Sequence, residues 1–116
     1  MLLKKLFLMI TLFTQISSLQ ANSCTTVENG KVTLCNNYAK SGAKFAVKQK
    51  SFCSKGDLNM AGMIIKNTFK EESCPLKAAI AKCRNRDRDV TIYYSGDMAD
   101  LKKGCKVFKS ASFIKL

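Results

Sequence analysis

Six cysteines, Cys24, Cys35, Cys53, Cys74, Cys83 and Cys105, are spread over about 95 residues on the C-terminal side of this chain. A domain of that size buries a smaller fraction of its surface than a large one, so cross-links supply much of its stability. Two uses of cysteine compete. Zinc sites show closely spaced ligands, whereas this chain has no Cys-x-x-Cys pair and no histidine. No metal and no cofactor are therefore expected. An even count in a small domain predicts three disulfides, provided the chain reaches an oxidising compartment.

The N-terminus points to such a compartment. Lys4-Lys5 precedes an apolar run from Leu6 to Phe13, interrupted only by Thr11, and then polar Gln15, Ser17, Ser18 and Gln20. This is the layout of a signal peptide, and the run is shorter than the roughly 20 apolar residues of a membrane span. Residues 1–21 are read as a cleavable signal peptide and residues 22–116 as a single six-cysteine basic domain, periplasmic or secreted. The competing reading is an N-terminal anchor helix. Cleavage fits after Ala21 or after Ser23. The second point would leave Cys24 first, as in a lipoprotein, but Ala21-Asn22-Ser23-Cys24 lacks the aliphatic residue of a lipobox.

Removing Lys4 and Lys5 leaves 18 basic residues against 8 acidic ones, a net charge of +10. Such a charge favours anionic partners: envelope polymers, membrane headgroups or nucleic acid. A lysine-rich surface that only keeps the chain soluble is the plainer alternative.

The cysteines fall into two triplets, Cys24/Cys35/Cys53 and Cys74/Cys83/Cys105, each with a short gap before a long one. Tyrosine follows each middle cysteine: Tyr38 in the first, Tyr93 and Tyr94 in the second. The pattern suggests an internal duplication. If the last cysteine of each copy sits on a helix packed over the strand carrying the middle one, the bridges are Cys35–Cys53 and Cys83–Cys105, with Cys24–Cys74 joining the copies.

The first copy predicts a strand over residues 31–35 with Val32 and Leu34 on one side, broken by Asn36-Asn37. A helix follows over about 42–54, capped by Ser41 and stopped at Gly56, with Phe45, Gln49 and Phe52 near one face. Residues 60–65 read as a further strand. In the second copy, 78–83 and 90–94 read as strands around a charged turn over 84–89. Asp97 caps a helix whose apolar face is Met98, Leu101, Cys105 and Phe108. Residues 112–116 form a last short strand. The expected fold is α+β: a small antiparallel sheet with two short helices, stapled by disulfides.

Cys74-Pro75, the gap to Cys83, the strand ending Tyr93-Tyr94 and the helix with Cys105 resemble a group of small six-cysteine exported proteins of Gram-negative bacteria. That group also has a Cys-x-x-Tyr similar to Cys35-Asn36-Asn37-Tyr38. This chain departs from the pattern at Ala81, where the group has glycine, and lacks Gly-Gly after Cys105. The resemblance implies an exported disulfide-bonded fold and carries no mechanism.

Without histidine the chain lacks the commonest general base. Glu71-Glu72, Asp87 and Asp89 read as solvated charges, and no phosphate loop or nucleophile elbow is present. No catalytic residues are expected, and the chain is not expected to be an enzyme. The sharpest binding candidates are Arg84, Arg86 and Arg88, whose planar forks match phosphate and carboxylate. Lys40, Lys44 and Lys48 form a second basic set on the expected helix, and Tyr93 is a candidate aromatic contact. The plain alternative is a solvated hairpin. The leading expectation is an exported cell-envelope protein, a non-catalytic binding or structural module for anionic partners. The alternatives are a secreted effector (an inhibitor or a cationic membrane-active toxin) and, less favoured, a minimal hydrolase.

Overall fold

The computed structural model describes residues 21–85, 89–107 and 110–116. The expected signal peptide lies outside them except for Ala21, as do Arg86, Asp87, Arg88 and Phe108. Seven strands form one antiparallel sheet: β1 (Ser23–Glu28), β2 (Lys31–Asn37), β3 (Leu58–Met60), β4 (Met63–Lys70), β5 (Ala81–Arg84), β6 (Val90–Tyr93) and β7 (Ser112–Lys115). Their order is β3-β4-β1-β2-β6-β5-β7. The helices are α1 (Ala43–Ser54), which packs on β4, and α2 (Met98–Cys105), which packs on β5 and β7. The fold is α+β as expected, but the sheet is larger than the small one anticipated.

Each half of the chain follows the same path. A hairpin (β1–β2 or β5–β6) leads to a helix, and a strand beyond the helix pairs beside the first strand of the hairpin, β4 on β1 and β7 on β5; the first half differs in placing the short edge strand β3 between helix and β4. The register repeats too: Cys24 lies between Asn36 and Phe69, and Cys83 between Thr91 and Phe113. The halves join through β2 and β6, with Asn36 opposite Thr91 and the Thr91 hydroxyl 3.2 Å from the Asn36 Oδ1 it donates to. Cys24 therefore corresponds to Cys83 and Cys53 to Cys105. The triplet alignment suggested by cysteine spacing, with Cys24 matched to Cys74, is corrected.

The disulfides follow. They are Cys24–Cys53, Cys35–Cys74 and Cys83–Cys105. Cys83–Cys105 agrees with the expectation, whereas Cys35–Cys53 and Cys24–Cys74 do not form. Adjacent strand residues point to opposite faces. Cys24 faces α1, while Cys35 shares the other face with its cross-strand partner Thr25, whose hydroxyl donates to Cys35 Sγ at 3.3 Å. There Cys35 meets the segment 71–80, a strap that crosses the sheet between the halves and is tied down by Cys74. The strap is also held by Ser23 Oγ donating to the Glu72 carbonyl at 2.6 Å, the Cys74 N–H donating to Asn37 Oδ1 at 2.8 Å, and Tyr94 Oη donating to the Pro75 carbonyl at 2.6 Å.

Sulfur and small side chains make up most of the core. Among the described residues the buried apolar positions are the six cysteines, Ala46, Ala81 and Ile92. The loops closed by the bridges separate residues 29, 39 and 22 apart, so loop entropy alone gives each bridge about 3–4 kcal/mol.

Several local expectations are revised. β1, whose Thr25-Thr26-Val27 is β-branched, carries no strand in the sequence reading because it adjoins the signal peptide. β2 continues through Asn36 and Asn37, which pair with β6 instead of breaking the strand. A register shift at Thr26/Val27 places Val32 opposite Val27, so it does not share a side with Leu34. The run 60–65 is two strands turned at Ala61-Gly62, with Gly62 at φ 80°. Ala78, at φ 66°, is outside β5. On α1 the buried residues are Ala46 and Cys53, not the Phe45/Gln49/Phe52 face, and Phe52 is 71% exposed. Gly42, not Ser41, occupies the N-cap. Asp97 caps α2 as expected, accepting from the Ala99 and Asp100 N–H groups.

Candidate anion-binding corner

The pairing of β2 with β6 brings both basic candidates to one end of the sheet. β5 ends at Arg84 and β6 begins at Val90, so the charged segment is the turn of this hairpin. Its base is closed by the Asn85 N–H donating to the Asp89 carbonyl at 3.0 Å and the Asp89 N–H donating to Asn85 Oδ1 at 3.1 Å. The Asp89 carboxylate then accepts the Ala39 N–H at 2.8 Å. Ala39 lies in the loop from β2 to α1 and directly precedes Lys40. The arginine turn and the lysine loop are thereby fixed as neighbours.

The lysine set differs from the expected helical stripe. Lys40 lies before α1, while Lys44 and Lys48 lie on it. The Lys40 carbonyl is held by Gln49 Nε2 at 2.8 Å, and Gln49 Oε1 is held by Asn22 Nδ2 at 2.7 Å. Lys40 and Lys44 place their ammonium groups 5.5 and 5.8 Å from the Phe45 ring centroid. Two cations thus share one aromatic ring. Arg84, Lys40, Lys44 and Lys48 are all exposed. Arg86 and Arg88 belong to the same short turn but lie outside the described residues.

The aromatic residue of this corner is Tyr38, which the sequence reading placed in the cysteine pattern but did not make a contact candidate; that candidate was Tyr93. Burial first, and the nearby Asp89 carboxylate second, raise its phenol above the usual 10.0. Tyr93 sits at the far end of β6 from the turn, opposite Leu34 and Ala81. Tyr94 is structural, packed against the Cys35–Cys74–Ile92 cluster and tied to the strap. The Cys-x-x-Tyr spacing was the available signal for Tyr38, because its equivalent across the seam is Tyr93.

Apart from this corner, an open cleft of about 330 Å³ lies beside the strap and includes Ser23, Thr25, Lys70, Glu72 and Tyr94. Its polar groups are largely committed to holding the fold: Ser23 and Tyr94 bond to strap carbonyls, and Lys70 pairs with Glu72 at 3.8 Å. No group of three or more metal-ligating side chains is present among the described residues. No helix among them is long and apolar enough to cross a membrane.

No family model, no curated protein and no solved structure matches this chain.

Proposed function

We propose that this protein is an exported, non-catalytic binding module of the cell envelope that holds a phosphate-bearing anionic polymer at the corner of Arg84, Arg86, Arg88, Lys40 and Lys44. The observation that carries the reading is the Asp89–Ala39 hydrogen bond, which joins two basic segments distant in sequence. The mature charge of +10 adds long-range attraction. The resemblance to six-cysteine exported proteins and the three disulfides agree with an oxidising compartment. The repeated path and register of the halves support an origin by internal duplication.

The test is retention on immobilised lipopolysaccharide, with heparin and DNA as comparison matrices. Replacing the three arginines by lysine keeps the charge but removes the forks that hold two oxygens at once. Replacing them by glutamine removes both. Loss with both variants, greatest on lipopolysaccharide, is the expected result. Loss with glutamine alone reduces the corner to a diffuse charge effect, and unchanged retention with both overturns the reading.

A further inference from the structure

We infer that the polymer held at the basic corner continues along the outer face of α1, so that the preferred ligand is an extended, sparsely charged oligosaccharide rather than a compact phosphate group. This rests on the reading of the corner given above and specifies the form of its ligand. Lys44, Lys48, Ser51 and Lys55 recur at steps of four, three and four, which stacks them in one row on a helix. The row is opposite Ala46 and Cys53, the buried residues of α1, and all four of its members are exposed. Lys55 belongs to it because the helix ends there in αR geometry, with φ −65° and ψ −19°. At its other end the row starts at the corner, since Lys44 shares the Phe45 ring with Lys40.

The charge of this face is one-sided. α1 contains no acidic residue, and neither does β4, the strand it packs on. Asp89 stands at the corner end and Asp57 two residues beyond Lys55, against Lys40, Lys44, Lys48, Lys50 and Lys55 on the segment itself. None of these lysines forms an ion pair among the described residues. Phe52, 71% exposed, flanks the row seven residues beyond Phe45, about two turns on and on the same side. Its ring offers a flat apolar face to a ring of the ligand. Spacing selects the occupant. Lys48 lies about 6 Å along the axis from Lys44, and Lys55 about 11 Å further. Each strand of duplex DNA carries a phosphate about every 3.4 Å, and single strands are held on successive aromatic platforms. α1 has fewer cations per length and a single free ring. An oligosaccharide with acidic groups on only some of its sugars fits that pattern, and lysine point charges accept carboxylate or phosphate alike.

The experiment measures binding of the mature, disulfide-bonded protein to two lipopolysaccharides. One has a complete core oligosaccharide; the other is truncated to the phosphorylated lipid portion and its innermost sugars. Wild-type protein is expected to bind the complete form about tenfold tighter, because linked contacts along α1 add to those of the corner. Lys48→Gln with Lys55→Gln should remove this preference and leave binding of the truncated form unchanged. Phe52→Ser should weaken binding of the complete form only, and Phe52→Tyr should restore it. Lys102→Gln with Lys103→Gln, which removes the same charge from exposed positions on α2, should leave the preference intact. A wild type without preference, or a preference that survives either the Lys48/Lys55 variant or Phe52→Ser, overturns the inference. So does an equal loss with the α2 variant, which would make the effect one of diffuse charge, and so does tighter binding of a single-stranded oligonucleotide than of the complete form. If the arginine-to-glutamine variant leaves binding of the truncated form unchanged, the corner alone fails; the ratio between the two forms, and its loss with Lys48 and Lys55, judges α1 separately.

Discussion

The Asp89 carboxylate accepts the Ala39 N–H at 2.8 Å, and its charge also acts on the neighbouring Tyr38 phenol. Asp89 therefore both joins the corner and raises the pKa of its aromatic residue. Asp89→Asn keeps an acceptor for Ala39 but removes the charge, so the Tyr38 pKa should fall toward 10.0. Tyr93 and Tyr94, raised by burial alone, should not move. Ring-carbon NMR titration of the three tyrosines measures this. A raised folded-state pKa means that the folded protein prefers the neutral phenol. The associated stability is complete below pH 10, the ordinary tyrosine value, and is lost as pH rises through the folded value. Denaturant midpoints should accordingly fall in the alkaline range.

If the arginine turn and the lysine loop form one site, their contributions to binding are coupled. Arg84, Arg86 and Arg88 changed to glutamine, and Lys40 with Lys44 changed to glutamine, should each weaken polymer binding. The combined variant should depart from the sum of the two by about 0.5 kcal/mol or more. Strict additivity would mean two separate patches.

Asn22 and Ser23 are 3% and 1% exposed. Asn22 bonds to Gly42 and Gln49 and accepts the Tyr38 N–H; Ser23 pairs in β1 and bonds to Glu72. Cys24 is committed to Cys53. Intact mass of exported protein should place the N-terminus at Asn22, with Cys24 free of lipid. A form starting at Cys24 should be less stable by about 2–3 kcal/mol, because several buried hydrogen-bond partners are lost.

Gly56 closes the turn after α1, where an added Cβ would lie 2.7 Å from Asn67 Nδ2. Asn67 cannot easily yield, since its amide bonds to Asp57 at 3.1 Å and its Oδ1 accepts from Thr26 at 2.6 Å. Gly56→Ala should destabilise the protein by about 1–3 kcal/mol, the range for overpacking. Chemical denaturation checks it, and a neutral result would show that the turn shifts freely.

Some local signals were legible, and of the disulfide pairings only Cys83–Cys105 was. The Asp97 cap and the Met98/Leu101/Cys105 face were readable because each depends on residues within a few positions. The β3–β4 turn was hidden because Ala61-Gly62 sits inside an otherwise apolar run. Cys35 was assigned the wrong partner because spacing does not reveal that Cys24, not Cys35, faces α1. The corner was legible as residue types only. Its assembly depends on β2 pairing with β6, and no local feature of Lys40 or Arg84 announces that.

The interlaced bridges Cys24–Cys53 and Cys35–Cys74 carry a consequence for biogenesis. A chain entering an oxidising compartment N-terminus first presents Cys24 and Cys35 together before either native partner has arrived. Oxidation in order of emergence would join Cys24 to Cys35 and Cys53 to Cys74, and only Cys83 to Cys105 would be native. Reaching the folded state then requires thiol–disulfide exchange through mixed disulfides. Yield should depend on an isomerase rather than on oxidising power alone, and a stronger oxidant without one should trap the first half while leaving the second correctly closed.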